Sequence, residues 1–482
     1  MKLKDLLAGT QILSAQADME MEITGISYDS HTTKPGDIFV AIEGTAEDGS
    51  RFIGEAMEKG AVCVLCRHGV QETIPYVVTD SCRRALAVLA ANWFDHPAKE
   101  MTLVGVTGTN GKTTTTYLIK RILEEKYGAK VGLIGTICNM VGDQKLPAER
   151  TTPDPYRLQQ LLRQMADAGC SHAVMEVSSH ALAMDRVYGI RFAAAGFSNL
   201  TQDHLDYHKT MEQYCDAKAI LFQNCDLAVY NADDPWSARL LEKSTCRRYA
   251  YGLNAADMTA EAVGLAADGV RYTLRTAERE LAVQLPIPGM FTVYNSLAAM
   301  AVCYNLGVSL EDCAEVLRVH GGAKGRMEVV TAPDKPYTVL IDYAHTPDAL
   351  ENVLRAVKGF AKGRTVVLFG CGGDRDRTKR PQMGEIAARL ADFAVVTTDN
   401  PRTEPPCAII GDILQGMKHT DAYQVIENRV EAICWALDHA QKDDVIVLCG
   451  KGHEDYQEIG HQKVHLDERE VIAEYLKKSL LV

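Results

Sequence analysis

The chain has 482 residues, of which 46% are hydrophobic and 24% charged, and a formal net charge of −13. Such a length suggests about three domains of ordinary globular composition. The acidic balance argues against nucleic acid as a partner, because phosphate backbones are bound by net basic surfaces, but local basic clusters can still hold small anions.

No run reaches the roughly 18 consecutive apolar residues of a membrane helix. The stretch behind Met1-Lys2-Leu3-Lys4-Asp5 is too short and interrupted for a leader, so neither membrane insertion nor secretion is expected. The 14 cysteines are mostly single and sit in apolar segments, and the one CxxC, Cys63 to Cys66, lies inside what reads as a buried strand. With no second ligand pair at zinc spacing, they read as buried thiols of a protein in the reducing cytoplasm.

In chain order, residues 1–98 mix short strands and helices: a strand over Asp37 to Ile42 after a Lys-Pro-Gly turn, helical spacing from Arg51 to Lys59, and a strand over Ala61 to Cys66. A helix ending at Trp93-Phe94-Asp95-His96-Pro97 marks the first boundary. Residues 99–326 open with a strand over Met101 to Val106 and a helix from Lys112 to Glu125, followed by apolar runs at Ala173 to Val177, Ala193 to Phe197 and Leu227 to Tyr230. Residues 327–482 restart the alternation at Thr338 to Asp342, Arg364 to Gly370, Phe393 to Thr397 and Asp444 to Cys449. The expected class is α/β with mostly parallel sheets: three domains, a central mononucleotide-binding one and a Rossmann-like third.

Between the first central strand and its helix stands Gly108-Thr109-Asn110-Gly111-Lys112-Thr113-Thr114. A strand, a Gly-rich turn and a helix opening at Lys-Thr cradle phosphate: backbone N–H groups face the anion, Lys112 reaches the terminal phosphates, and the Thr113 hydroxyl can ligate Mg2+. The first glycine of the usual pattern is replaced by Val106. The loop implies a nucleotide without naming a reaction.

This version of the loop resembles that of the Mur ligase superfamily, which includes folylpolyglutamate synthetases, and the resemblance runs along the whole chain. It implies an ATP-dependent ligase forming an amide through an acyl phosphate, with Mg2+. Glu176, at the end of a buried strand, would bind the metal opposite Thr113. His204, in the acid- and histidine-rich run Asn199 to His208, would bind a second one. Lys218, four residues after Tyr214 on one helix face, matches the lysine that the family carbamylates. Asn295, in a segment resembling a helix start at Tyr294 to Ala299, would approach the adenine, with Arg326 and His345 completing the nucleotide contacts.

Two further sets resemble the members that add meso-diaminopimelate to UDP-MurNAc-L-Ala-D-Glu during peptidoglycan precursor synthesis. Ser30, Thr151, Thr152, Ser178 and Arg186 would contact the UDP-sugar peptide, although Met184 stands where some relatives carry Gln. In the third domain Asp399-Asn400-Pro401-Arg402, with Arg375, Gly450 and Glu454, would hold the incoming amino acid, the Arg402 fork gripping the far carboxylate that lysine lacks. A lysine-adding or folylpolyglutamate-type ligase is the enzyme alternative, and a nucleotide switch that has lost synthesis is the non-enzyme one. A monomer is expected.

Overall fold

The computed structural model describes all residues except 45–46, 71–73, 332–334 and 480–482. It resolves into two compact units, Met1–Ala250 and Tyr251–Val482.

The first unit holds two sheets. β1 (Ile12–Gln16), β2 (Gly25–Ser27), β3 (Asp37–Val40), β4 (Cys63–Cys66) and β5 (Tyr76–Thr79) pair in the order β1-β5-β4-β3-β2, parallel except at β1. β3 and β4 are buried along their whole length, β4 as an unbroken apolar run and β3 apolar after Asp37. The helix Cys82–Trp93 covers one face, where Leu86 and Leu89 pack on Ile38, Val40 and Leu65.

In this unit the second sheet includes β6 (Thr102–Thr107), β7 (Val131–Ile134), β8 (Asn139–Val141), β9 (Gln144–Leu146), β10 (His172–Glu176), β11 (Ala194–Phe197), β12 (Leu227–Asn231) and the first part of β13 (Arg247–Gly252). β6 lies between β10 and β11, all three parallel, so the loops leaving their carboxyl ends converge. The two sheets are joined through aromatic and polar contacts: the Tyr28 hydroxyl donates to Asp154 at 2.8 Å, and the Phe94 and Tyr156 rings meet edge-on at 5.1 Å.

The second unit begins with an antiparallel meander, β14 (Met258–Ala266), β15 (Gly269–Thr276) and β16 (Glu280–Leu285), against which the helices Met290–Asn305 and Leu310–Val319 pack. The meander departs from the expected parallel pattern. Its strands bury alternate residues, so they present no continuous apolar run. A second sheet follows: β17 (Glu328–Val329), β18 (Thr338–Asp342), β19 (Thr365–Phe369), β20 (Phe393–Val396), β21 (Tyr423–Val425) and β22 (Val445–Cys449) run in the order β17-β18-β22-β19-β20-β21. All neighbours except β17 and β18 are parallel, which places the loops after β18, β19, β20 and β22 on one edge. A hairpin of β23 (Tyr456–Ile459) and β24 (Gln462–His465) leads into the helix Glu468–Ser479.

Among the described residues no helix is long and apolar enough to cross a membrane. All the expected strands are present, each within two residues of its expected ends.

Candidate functional site

The phosphate loop leaves β6 with Gly108 at φ 146° and Gly111 at φ 88°, conformations that favour glycine. A β-carbon at Gly108 would stand 1.9 Å from Ser198 Oγ, so the position is closed to other residues on packing grounds as well. The loop is pinned from β11 by Asn199: its side-chain oxygen accepts from Asn110 N at 3.0 Å and its carbonyl accepts from Thr109 N at 2.8 Å. Lys112 opens the helix Lys112–Tyr127 and curls back to donate to the Gly108 and Thr109 carbonyls at 3.0 and 2.9 Å. Thr114 is buried on the first turn of the same helix.

Glu176 ends β10 next to the loop and is only 1% exposed. Its carboxylate accepts from the Thr113 hydroxyl at 2.9 Å, from Thr136 N at 2.9 Å and from the Thr136 hydroxyl at 3.1 Å. An acid capping the next helix is therefore excluded; Ser178 performs that capping, accepting from Ala181 N at 3.2 Å. A carboxylate and a threonine hydroxyl side by side are hard oxygen donors of the kind Mg2+ takes. Thr136, absent from the expected set, completes this cluster. The available signal was only its place just past the end of a buried strand.

Lys218 lies in the helix Met211–Gln223, 1% exposed, with Nζ 4.5 Å from the Tyr214 ring centre and 2.9 Å from the Gly108 carbonyl oxygen to which it donates. Among the described residues no carboxylate forms a salt bridge with it. Burial first, and then the charge of Lys112, holds this amine well below the usual lysine range. As an ammonium it cannot ligate a metal. As a neutral amine it is the form that adds CO2, and the resulting carbamate would offer oxygens where the ammonium offers none.

His204 is half exposed in a left-handed turn at φ 52°, with its ring 4.8 Å from His180 and 6.2 Å from Tyr214. Among the described residues no cluster of three His, Cys, Asp or Glu side chains is positioned to hold a metal. Neighbouring His208 is buried and shares a 2.9 Å hydrogen bond with Ser179. Burial first, and then the neighbouring His180, pushes it down from 6.5 to about 4. The unfolded imidazole takes its proton near 6.5 and the folded one near 4, so this contribution to stability is complete above pH 6.5 and is lost as the pH falls toward 4. The loss is on the order of 3 kcal/mol. Thermal unfolding of the native chain and of H208N across that window should show a shallower slope for the variant; equal slopes would remove His208 as the source.

Near the same strand ends, Thr152 donates to the Glu176 carbonyl at 2.8 Å, and Thr151 meets Thr136 at 3.0 Å. Arg186 donates to the Thr152 carbonyl at 2.7 Å and lies 3.6 Å from the Met184 sulfur. Burial, with Arg150 nearby, disfavours its charge. Thr151, Thr152, Ser178 and Arg186 are thus brought together. Ser30 is buried in a separate cluster, donating to Glu55 at 2.7 Å, with Lys59 on the same carboxylate.

In the second unit, the loops after β18, β19, β20 and β22 enclose a cavity of about 370 Å³. Arg375, Asp399, Asn400, Arg402, Gly450 and Glu454 line it together with His345; Pro401 is buried behind them. Gly450 (φ 114°) passes so close to Asp399 that a β-carbon would sit 2.2 Å from its Oδ2, an atom buried without a hydrogen-bond partner. Lys451, fully buried, donates to Asn400 Oδ1 at 2.7 Å and to Glu454 at 2.8 Å. Arg402 does not stand unpaired: Nε donates to Glu458 at 2.8 Å and Nη1 to the Gly373 carbonyl at 2.7 Å.

Arg326 stacks on Tyr343 at 5.1 Å and buries Nε without a hydrogen-bond partner, and among the described residues it forms no salt bridge. Asn295 is buried five residues inside the helix Met290–Asn305; the helix starts earlier than expected because Pro288-Gly289, with Gly289 at φ 96°, ends the preceding extended chain.

Comparison with known proteins agrees with this geometry. Residues 22–94 match the family described as "Mur ligase family, catalytic domain", residues 106–303 "Mur ligase middle domain", and residues 325–452 "Mur ligase, glutamate ligase domain". The UDP-N-acetylmuramoyl-L-alanyl-D-glutamate--2,6-diaminopimelate ligase 1 of Clostridium acetobutylicum is 46% identical over 483 residues, covering 99% of this chain and 100% of its own. The enzyme of that name, without the numeral, from Gloeobacter violaceus is 46% identical over 485 residues, covering 99% and 98%. A solved structure of a UDP-N-acetylmuramoyl-L-alanyl-D-glutamate--2,6-diaminopimelate ligase superposes with a TM-score of 0.73 at 31% identity, covering 100% of this chain and 99% of that one. The fold is that family's three-domain α/β arrangement, and the chain belongs to the Mur ligases, which form amide bonds at the expense of ATP.

Proposed function

We propose that this chain adds meso-2,6-diaminopimelate to UDP-MurNAc-L-Ala-D-Glu, acting as a cytoplasmic monomer with domains at 1–98, 99–326 and 327–482. The observation that carries the reading is the cavity lined by Arg375, Asp399, Asn400, Arg402, Gly450 and Glu454. It offers guanidinium groups and carboxylates together, the complement of an amino acid whose far end carries both charges. Full-length relatives at 46% identity bearing the diaminopimelate ligase name support it.

The D-glutamate carboxylate attacks the γ-phosphorus of ATP, giving an acyl phosphate and ADP. The amine of diaminopimelate then attacks the acyl carbon, and the tetrahedral intermediate expels phosphate. Lys112 neutralises charge on the transferring phosphoryl group. Thr113 and Glu176 would hold Mg2+, with His204 and carbamylated Lys218 serving a second ion; bound there, the metals supply charge stabilisation. Arg186 and the Thr151, Thr152 and Ser178 hydroxyls would hold the anionic dipeptide end, and Ser30 the UDP end. Arg326, Asn295 and His345 would contact the nucleotide. Orienting amine and acyl phosphate supplies ~7 kcal/mol or more of the barrier reduction.

Purified protein with ATP, Mg2+, UDP-MurNAc-dipeptide and either diaminopimelate or lysine should release phosphate with diaminopimelate and little with lysine. Release with lysine alone would leave the lysine-adding reading, and no release with either would end both.

A further inference from the structure

Resting on that reading of the cavity, we propose that Arg429 is a positioning residue for the incoming amino acid: its guanidinium holds together the two loops that build the pocket. The first loop, leaving β20, carries Asp399, Asn400 and Arg402. The second, leaving β22, carries Gly450 and Glu454. Arg429 touches neither the cavity nor any of these side chains by hydrogen bond. It opens the helix Arg429–Asp438 behind them and is 1% exposed.

Nη1 donates at 3.2 Å to the carbonyl of Thr398, the residue before Asp399, and Nη2 at 2.8 Å to the carbonyl of Cys449, the residue before Gly450. Nε donates at 2.9 Å to Glu468, the first residue of the last helix, itself fully buried. A single planar fork therefore fixes the peptide groups through which both loops depart. Lysine, with a single nitrogen on a shorter reach, cannot reproduce this arrangement of one nitrogen on each carbonyl and a third on Glu468.

The separation so fixed matters because the loops are cross-linked across the pocket with little slack. Asn400 Nδ2 donates to Glu454 at 3.0 Å, Lys451 bridges the same two residues, and Gly450 lies against Asp399. Spreading the loops would move Glu454 away from Asn400 and alter the distance between the carboxylate and guanidinium groups that read the two ends of the amino acid. A shift of about 1 Å in such a constellation is enough to cost a large factor in substrate use.

Glu468 gives the control. Glu468→Gln weakens the ion pair and leaves both carbonyl bonds of Arg429 in place, so it should lower the unfolding temperature with little change in any KM. Arg429→Lys keeps the charge opposite Glu468 but releases a loop. It should raise the KM for diaminopimelate about tenfold or more, with the KM values for ATP and the UDP substrate within twofold of native. Should Arg429→Lys fail to accumulate folded, the neutral pair R429Q/E468Q tests the same point without a buried unpaired charge, with the same result expected. A diaminopimelate KM within twofold of native in these Arg429 variants, or an equal rise in Glu468→Gln, would overturn the positioning role. Native protein that releases no phosphate with diaminopimelate would overturn the functional reading itself, a separate outcome read before any variant is made.

Discussion

Replacing Lys218 by alanine should lower amide formation by about 10²–10³-fold or more, the scale seen when one preorganised electrostatic group is removed from a polar active site. The expectation follows from where the amine sits. Lys218 is buried, donates to the same Gly108 carbonyl as Lys112, and has the Tyr214 ring as its other close neighbour. A buried ammonium without a carboxylate opposes folding, so its retention at this point needs another explanation. The neutral amine reacts with CO2, and the product is an anion beside a phosphate loop that needs counter-ions. Three measurements separate this from a structural role. The unfolding temperature of Lys218→Ala should be unchanged or higher, since the cost of burying this amine, either desolvated as an ammonium or stripped of its proton, has been removed. Added short carboxylates should restore part of the phosphate release. Lys218→Arg, which cannot form the carbamate, should stay inactive. Full activity of the alanine variant without added carboxylate would rule the carbamate out.

Much of this centre was readable in the sequence because it is built from contiguous segments. The phosphate loop lies between a buried strand and a helix start, and Tyr214 and Lys218 share a helix face through a spacing of four. The parallel strands were readable because burial on both faces makes them unbroken apolar runs, as in β4 and β22. β14 to β16 were not, since alternating burial breaks the run. Residues whose role depends on distant partners were also hidden. Arg429 looks in sequence like any charged residue in the first turn of a helix; only its position between the Thr398 and Cys449 carbonyls distinguishes it. Lys451 is likewise an unremarkable lysine until Asn400 and Glu454 are found on either side of it. Ser30 was expected at the UDP-sugar peptide, but its bond to Glu55 needed the fold.

The second large effect concerns Arg402, where the fold changes the energetic reasoning. An unpaired buried arginine would reject lysine by several kcal/mol, but this guanidinium is 20% exposed on its side chain and already bonded to Glu458 and the Gly373 carbonyl. With lysine bound, Arg402 keeps those partners, so the penalty for the missing carboxylate is only the lost charge-assisted contact, about 1.5–3 kcal/mol, or roughly 10- to 10²-fold in kcat/KM. Arg402→Ala should remove that factor for diaminopimelate and leave ATP binding intact. It should do more, because Glu458 loses its cation while Glu454 remains in the pocket. The released Glu458 carboxylate then adds negative charge beside the pocket's own Asp399 and Glu454 carboxylates. They repel the far carboxylate of diaminopimelate and attract the ammonium of lysine, so the preference should shrink to parity or turn toward lysine. Measuring kcat/KM for both amino acids with native and variant protein tests the pocket directly. Unchanged discrimination would mean that the far carboxylate is read elsewhere. A preference lost in R402A and partly regained in R402A/E458A would assign the reversal to the released carboxylate.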